Sequence, residues 1–472
     1  MEILGVKANR VWLELGEASM WGRNRIDLLT GPNGSGKSEI LSFLANTFRS
    51  RTSKNLQGVI KWRYEDSYYT SDVIGQETFE PARVIAQTYS PFNRFPSPVG
   101  HSSSLTSIYS EGDLSDSIYV CAGLHKSTRI VSSSLSKNTL EQAIYRLSES
   151  SESASAILRV MSNLNLSDQI SFTYEARSGL GAILDASRKG TLVELLEQLE
   201  SRAHNRKYSR SGLDLELKKE NIYKLSELIN EALQIIGEKI YESRVFEHEI
   251  GSIRYSDRYG YAAFQSLSLL RRLDLLTLRK CELTNKDGDK FDVANASSGQ
   301  QQMLCSVIGL ATALKHNSLV LIDEPELSLH PSWQQLYLDN LQATLEPFYG
   351  CHILIATHSP LIVQRGHALG AGVTQIKREA VSEPMEQESK SVEATLQEVF
   401  NTPVSGSVHL ANEIFSLITN AETGDGIAHA HSLAELQKLR ILYTATGVSG
   451  DKTLELIEDA IDLLNTDEGY NA

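Results

Sequence analysis

The sequence predicts an α/β protein whose central unit is split by a large helical insertion and followed by a small helical domain. A strand pattern at 26–30 runs through a glycine-rich loop into a helical pattern, and an apolar strand pattern at 318–322 ends in two carboxylates. Both are typical of an α/β unit. Helical periodicity dominates from about 100 to 285 and separates the two parts. The chain is therefore predicted to form one interrupted α/β unit.

Length, charge and cysteine content limit the functional classes. A chain of 472 residues is too long for a single hydrophobic core. Its formal charge of −14 excludes a surface that coats nucleic acid or anionic membrane indiscriminately. The four cysteines lack the paired spacing of a disulfide framework or zinc site. No apolar run is long enough to span a bilayer, so we expect a cytoplasmic protein that makes no membrane contact.

The loop Gly31-Pro-Asn-Gly-Ser-Gly-Lys37-Ser38 follows a strand and opens a helix. In this context the pattern Gly-x-x-x-x-Gly-Lys-Ser predicts phosphate binding, because backbone N–H groups and the helix N-terminus then face an anion. A glycine-rich turn of no consequence is the alternative. We expect Lys37 to neutralise the β- and γ-phosphates of ATP and Ser38 to ligate Mg²⁺. The predicted nucleotide-binding residues of the loop are Asn33, Gly34, Ser35, Gly36, Lys37 and Ser38.

The helix after this loop carries apolar residues at helical spacing, so one face should pack against a sheet. These residues are Ile40, Leu41, Leu44 and Phe48.

A second motif is the apolar run Ser318–Ile322, which ends in Asp323 and Glu324. A buried parallel strand has this composition, and open α/β sheets bind ligands at the carboxyl ends of their strands. Asp323 is expected to hold Mg²⁺, and Glu324 to act as the general base for the attacking water. A core strand ending at a solvated acidic turn is the alternative.

A third motif, Ala296-Ser-Ser-Gly-Gln-Gln301, precedes an apolar helical pattern and by itself would indicate only a loop at a helix start. Beside the first two motifs it resembles the signature of ABC ATPases, usually Leu-Ser-Gly-Gly-Gln. Ala296 replaces the Leu and Ser298 the first Gly. The resemblance implies an ABC-type P-loop ATPase head with a mixed sheet and flanking helices. It also implies a head-to-tail homodimer, or a higher oligomer, that sandwiches ATP. The signature residues contacting the partner's ATP would be Ser297, Ser298, Gly299 and Gln300.

Two further residues occupy positions where the family keeps switch residues. His358 ends a strand-like run that begins at Ile353. The resemblance implies that it senses the γ-phosphate. Gln87 ends the run Arg83–Gln87, and the resemblance implies contact with Mg²⁺ and the attacking water. Thr88 and Ser90 are close enough to share that role.

The continuation Glu324-Pro-Glu-Leu-Ser-Leu-His-Pro331 resembles soluble ABC ATPases of DNA repair and anti-phage defence. With Ser90–Pro96 and the helical insertion, the chain is most similar to the PtuA-type ATPases of Septu and retron systems. This implies a slow ATPase that controls an HNH nuclease. In a retron it also implies a reverse transcriptase with its nucleic acid. An SMC- or RecF-like DNA-maintenance ATPase and an ATP-binding scaffold without turnover are the alternatives.

The predicted organisation is a split ATPase head at 1–100 and 286–385, a mainly helical insertion at 101–285, and a helical C-terminal domain at 386–472. Helical patterns within the insertion lie at 139–147, 191–202, 221–240 and 264–275, and a hairpin is expected to turn at Asn285–Asp289. The C-terminal domain would be the docking surface for the nuclease.

Two further possibilities concern nucleic acid. A nuclease domain of the Toprim type needs a Glu followed by an Asp-x-Asp pair, and no convincing set follows residue 360. The segment Arg202–Arg210, with Lys218 and Lys219, interleaves basic residues with a tyrosine. That composition suits DNA or RNA contact, and a solvated helix end is the alternative.

Overall fold

The computed structural model describes residues 2–16, 20–49, 58–64, 67–70, 81–88, 90, 94–96, 118–121, 137, 140–141, 151–204, 212–217, 221–236, 244–250, 258–327, 329–377, 381–382, 391–400, 408–424, 426–444 and 452–467. The strands are β1 (Glu2–Ala8), β2 (Val11–Glu14), β3 (Met20–Trp21), β4 (Asn24–Thr30), β5 (Gly58–Tyr64), β6 (Ser67–Thr70), β7 (Arg83–Thr88), β8 (Tyr119–Cys121), β9 (Leu166–Ala176), β10 (Val245–Ile250), β11 (Leu276–Asn285), β12 (Lys290–Asp292), β13 (Ser318–Asp323), β14 (His352–Ala356), β15 (Gly372–Gln375) and β16 (Val381–Ser382). The helices are α1 (Lys37–Arg49), α2 (Ser151–Asn163), α3 (Ser178–Lys189), α4 (Leu192–His204), α5 (Gly212–Glu216), α6 (Ile222–Ile236), α7 (Arg258–Arg272), α8 (Ser298–Ala313), α9 (Pro331–Leu345), α10 (Pro360–Leu369), α11 (Val392–Ala394), α12 (Val408–Thr423), α13 (Gly426–Thr444) and α14 (Lys452–Asp467).

The central sheet has the strand order β15-β4-β14-β13-β7-β8, and every pairing along this path is parallel. Strand β13 is buried along its whole length. Leu319 and Leu321 pack into one hydrophobic core, whereas Val320 and Ile322 pack into the core on the opposite face. Because the strands are parallel, the carboxyl ends of β4, β13, β14 and β7 lie at the same edge of the sheet.

A second sheet, ordered β16-β2-β1-β5-β6, packs with α1 against one face of the central sheet. The helix lies between apolar side chains of both sheets, such as Ile3 and Leu321. All four residues of the predicted apolar helix face, Ile40, Leu41, Leu44 and Phe48, are buried there. This prediction is confirmed, and it fixes the helix that opens at the glycine-rich loop.

Buried polar groups join these two sheets at the end of the central sheet remote from that loop. Ile3 N donates to Nδ1 of His352 at 2.8 Å, so Nε2 carries the ring proton and donates to Asp27 at 2.8 Å. Arg25 Nε donates to the same carboxylate at 2.7 Å. Burial lowers the pKa of His352, which agrees with a neutral ring. The network therefore satisfies a carboxylate that would otherwise be costly to bury.

The insertion contains strands that were not predicted from the sequence. Strands β9 and β10 join β11 and β12 in an antiparallel sheet ordered β10-β9-β11-β12, with Phe172 and Tyr174 fully buried. Helices α4, α6 and α7 match the predicted helical patterns, and most of the pattern at 139–147 lies outside the described residues. The expected hairpin is present, with Glu282 paired to Asp292. Residues of the insertion and of the central sheet share one hydrophobic core.

The last three helices, α12, α13 and α14, pack around a hydrophobic core of their own that includes Leu410, Leu436 and Leu464. The predicted α/β fold with a C-terminal helical region is confirmed. The exact domain boundaries stay a prediction.

Candidate nucleotide-binding site

The glycine-rich loop follows β4, and its backbone uses conformations that favour glycine. Gly31, Gly34 and Gly36 have φ values of 133°, 80° and 108°. A Cβ on Gly36 would lie 2.5 Å from a methyl group of Val11, and one on Gly31 would lie 2.7 Å from the Ile376 carbonyl oxygen. The loop is therefore a tight turn that neighbouring strands hold close, as a phosphate-binding loop requires.

Lys37 lies inside this loop and is almost completely buried. Its Nζ donates to the carbonyl oxygens of Gly31 at 2.8 Å and Pro32 at 3.2 Å. Burial lowers the pKa of Lys37 to about 8, while the carboxylates of Glu324, Asp323 and Glu326 oppose that shift. The lysine charge would be better stabilised by a phosphate than by two carbonyl groups.

Ser35 supplies a second sign that the loop is shaped for an anion. Its Oγ is buried and has no hydrogen-bond partner within the described part of the chain. A phosphate oxygen in the loop would accept a hydrogen bond from this hydroxyl. Asn33 and Gly34 are exposed at the lip of the loop. The residues present therefore fit the phosphate groups of a nucleotide.

Ser38 and Asp323 meet at the carboxyl edge of the sheet. Ser38 Oγ donates to Asp323 Oδ1 at 2.9 Å, joining the start of α1 to the end of β13. Burial raises the pKa of Asp323 to about 6, opposed by the Ser38 hydrogen bond and by the charges of Lys37 and Arg94. A hydroxyl and a carboxylate oxygen are donors that Mg²⁺ accepts, so this pair fits the metal of a magnesium nucleotide.

Glu324 follows directly and is held in an uncommon backbone conformation. Its φ is 50°, and its N–H donates to the Ala356 carbonyl at 2.9 Å. A residue other than glycine in the left-handed region costs energy, and such residues cluster at functional sites. The side chain is partly exposed beside Asp323. This position suits a base that acts on a bound water.

His358 lies on the loop after β14, the strand between β4 and β13. The ring is partly buried, and burial together with the nearby charge of Lys37 lowers the pKa of His358. Its backbone N–H donates to Glu326 Oε1 at 2.5 Å. The structure thus brings His358 to the same edge as Lys37 and Asp323.

The structure places Gln87 outside this cluster, and its role as a ligand of Mg²⁺ stays a prediction. Its side chain is completely buried. The amide donates to the Ser306 carbonyl at 2.8 Å and accepts from the Ser306 hydroxyl at 3.1 Å. In the register of the sheet, Thr88 rather than Gln87 lies opposite Asp323. Side chains alternate along a strand, and Gln87 points to the face of the sheet covered by α8, where Ser306 lies.

The signature segment begins α8 and is exposed. Ser297 and Gln300 form a reciprocal capping box, with Gln300 N donating to Ser297 Oγ at 3.3 Å and Ser297 N donating to Gln300 Oε1 at 3.0 Å. Ser298 is exposed and Gly299 is buried. The described contacts tie these residues to one another and not to the phosphate loop of the same chain. A helix N-terminus presented in this way can receive an anion from outside.

The sequence reading missed Glu326 as a member of the site, although it lies within the quoted acidic motif. It also missed Arg94, whose charge acts to lower the pKa of Asp323. In the proposed nucleic-acid segment Arg202–Lys219, residues 205–211 and 218–219 lie outside the described residues.

The chain matches a known protein family over about half of its length. The profile described as "AAA domain, putative AbiEii toxin, Type IV TA system" matches residues 123–364, just over half of the chain. The chain belongs to this family. The matched region includes Asp323, Glu324, His358 and the signature segment, and the glycine-rich loop precedes it. Membership in the AAA domain family implies ATP binding.

Curated relatives include ATPases and a nuclease. The "Retron Ec83 probable ATPase" of Escherichia coli is 32% identical over 127 residues, which cover 24% of this chain and 21% of that protein. The "Retron Vc95 probable ATPase" of Vibrio cholerae serotype O1 biovar El Tor is 32% identical over 89 residues, covering 16% of this chain and 17% of that protein. The "Old nuclease" of Escherichia phage P2 is 31% identical over 115 residues, covering 23% and 19%. The similarity to this AAA domain protein thus spans about a fifth of each relative.

Solved structures that resemble this AAA domain protein include an SmcHead bound to the C-winged helix domain of ScpA, with a TM-score of 0.29 and 11% identity, covering 82% of this chain and 97% of that one. A nucleotide-free ATP-binding cassette from an ABC transporter matches with a TM-score of 0.28 and 12% identity, covering 85% and 96%.

No helix among the described residues of this AAA domain protein is long and apolar enough to cross a membrane. Within the same described ranges, no group of three or more His, Cys, Asp or Glu residues is arranged to hold a metal ion.

Proposed function

We propose that this protein is an ATP-hydrolysing subunit of an anti-phage defence complex, and that its nucleotide state controls an associated nuclease. The hydrogen bond between Ser38 and Asp323 carries the ATPase part of the proposal, because it joins the phosphate loop to the acidic strand end. Glu324, the next residue, completes the acidic pair.

Each residue of the cluster then has a role in phosphoryl transfer. The loop N–H groups, the Ser35 hydroxyl and Lys37 would bind the phosphates, and Ser38 with Asp323 would hold Mg²⁺, which neutralises charge on the β- and γ-phosphates. Glu324 would accept a proton from the attacking water while the oxygen of that water bonds to the γ-phosphorus. The bond from that phosphorus to the β,γ-bridging oxygen breaks, giving ADP and phosphate. His358 would contact the γ-phosphate.

A second copy of the chain would complete the site. The capping box of α8 uses the Gln300 N–H, so the backbone N–H groups of Ser298 and Gly299 remain to bind an anion. In a head-to-tail homodimer, Ser297, Ser298, Gly299 and Gln300 of each copy would contact the γ-phosphate held by the other. Higher oligomers would be built from such pairs.

Binding of ATP is tested with the Lys37→Ala variant. We expect the wild-type protein to bind labelled ATP with Mg²⁺, and the variant to lose at least tenfold in affinity because the phosphate charge is no longer neutralised. A Lys438→Ala variant serves as the control, since Lys438 is exposed and pairs with Glu435 on the same C-terminal helix. Equal ATP affinity of the Lys37 variant and the wild type would refute the proposed loop function.

The proposed partner is a nuclease of the HNH type. The family description and the two retron ATPases support a defence role, and the PtuA-type resemblance supports this partner. In a retron, a reverse transcriptase and its nucleic acid would join the complex. The segment Arg202–Lys219 is the proposed contact for DNA or RNA.

The C-terminal helices are the proposed docking surface for the nuclease, because they have their own hydrophobic core. Leu436 is fully buried there, whereas Ala434 on the same helix is exposed. Leu436→Asp should unfold this unit and abolish co-purification of the nuclease from the native host, with ATP binding retained. Ala434→Asp is the control with the same new side chain. The Leu436→Asp variant must first be shown to have unfolded C-terminal helices. If the nuclease still co-purifies with that variant as it does with the wild type, this surface is excluded.

A further inference from the structure

Glu326 joins the acidic turn after β13 to the histidine loop after β14. Its carboxylate accepts the hydroxyl of Thr357 at 2.9 Å and the backbone N–H of His358 at 2.5 Å. The two strands are neighbours, with Asp323 opposite Ala356 in the parallel register. One side chain therefore fixes the loop that carries His358 to the turn that carries the proposed general base.

The residues on either side of His358 are also anchored. Thr357 is fully buried, and its Oγ1 accepts from Ser359 N at 3.0 Å. Ser359 caps α10, and its hydroxyl donates to Gln334 of α9 at 2.6 Å. Both neighbours of His358 are therefore held in place. The backbone N–H of His358 itself has Glu326 as its acceptor among the described contacts. The direction of the imidazole depends on that backbone.

Glu326 is suited to this role because it is partly buried and its carboxylate, among the described residues, accepts hydrogen bonds and forms no ion pair. Burial raises the pKa of Glu326, and the bonds from His358 N and Thr357 Oγ1 oppose the shift because they favour the ionised form. The carboxylate is also close enough to Lys37 to influence that charge. It therefore lies in the electrostatic environment of the site.

We infer that Glu326 is a positioning residue that acts through His358, holding the histidine loop in place for contact with the γ-phosphate. The inference rests on the proposed ATPase function. A positioning residue should affect the rate of the chemical step more than the binding of ATP, because a displacement of about 1 Å can lower a rate by up to about a hundredfold.

A double-mutant cycle tests whether Glu326 acts through His358. We expect Glu326→Ala to lower kcat about tenfold and to change the Kd for ATP by less than about twofold. In a His358→Ala background, Glu326→Ala should cause no further loss. Glu326→Gln should restore part of the rate, because its amide oxygen can still accept the His358 N–H. Independent losses that multiply in the double variant would overturn the inference.

Hydrogen exchange of the backbone provides a readout that does not need turnover. Glu326→Ala should speed exchange in the peptide spanning residues 353–362 about tenfold, because the His358 N–H loses its acceptor. Exchange at α8 should stay unchanged. Glu422→Ala, at an exposed position on α12, is the control. If exchange at 353–362 is unchanged in Glu326→Ala, the positioning role is contradicted even where the wild type hydrolyses ATP. If exchange is faster but the wild type has no ATPase activity, only the proposed function is refuted.

Discussion

Lys37 illustrates how burial prepares a single residue for an anionic ligand. It is a buried cation whose described hydrogen-bond acceptors are two carbonyl oxygens, and three carboxylates, those of Glu324, Asp323 and Glu326, face it. These carboxylates only partly offset the cost of burial, so the pKa falls to about 8. A bound phosphate would return the residue to its charged form.

The protonation of Lys37 predicts how nucleotide binding depends on pH. Below about pH 8 the free protein carries the charge, and binding needs no proton. Above about pH 8 the lysine is neutral, so binding should take up close to one proton and the affinity should fall by up to about tenfold for each pH unit. Calorimetry of ATP binding in two buffers with different ionisation enthalpies measures this uptake. Proton release above pH 8, or no pH dependence, would contradict the assignment.

For single residues, positions in the site were predicted best from the sequence where the chemistry of a residue and its spacing within a motif agree. Lys37, Ser38 and Asp323 were predicted together and do lie together. Gln87 was expected beside them but lies apart, because a strand end alone does not reveal which face a side chain points to, and the sequence gives no sign of its contact with Ser306. Glu326 was missed for a related reason, since its partners follow a different strand.

The phosphate loop between β4 and α1 is constrained by the residues packed against it as well as by its own backbone conformation. Gly34 has φ of 80° and open space where a Cβ would lie, whereas Gly36 has φ of 108° and Val11 at 2.5 Å from the corresponding position. The two glycines share the need for a positive φ. They differ in packing, which allows the two effects to be separated.

Alanine substitutions should report this difference. Gly34→Ala should lower the free energy of unfolding by about 1–2 kcal/mol from backbone strain alone. Gly36→Ala should lower it by about 2–4 kcal/mol and abolish ATP binding, because strain and overpacking combine. Denaturant unfolding measures both values. Val11→Ala alone is the reference for the double variant, because it removes buried methyl groups of its own. In the Val11→Ala background, Gly36→Ala should cost only the strain part, and a cost as large as in the wild type, or no cost, would contradict this division.

Elements with strong periodicity were predicted well, and the sheet of the insertion was not. Helix α1 buries the four predicted residues, and β13 alternates its side chains between two cores. Strand β9 also alternates, burying Ile170, Phe172 and Tyr174, but helical patterns surround it on both sides. Its partners β10 and β11 are far away in sequence, so tertiary pairing decides its conformation.

At the scale of the whole molecule, the signature segment is exposed at the start of α8 and is therefore available to a second copy. Ser297→Arg would place a bulky charge at that N-terminus. In a Glu324→Gln background, ATP should drive dimer formation, and Ser297→Arg should prevent it while leaving ATP binding intact. Light scattering with ATP and Mg²⁺ measures the mass. Gln437→Arg, at an exposed position on α13, adds the same charge as a control. Dimers of undiminished stability in the Ser297 variant would reject the sandwich arrangement.

Hydrolysis by the wild type and by Glu324→Gln, measured as phosphate release alongside retention of ATP, tests the central claim most directly. Glu324 is placed beside Asp323 by its φ of 50° and its bond to Ala356, and glutamine preserves the size of the side chain while removing the proton acceptor. The wild type should release phosphate, and the variant should lose at least a hundredfold in rate while binding ATP with Mg²⁺ as tightly. Phosphate release by the variant at the wild-type rate would contradict the assignment of Glu324 as the general base.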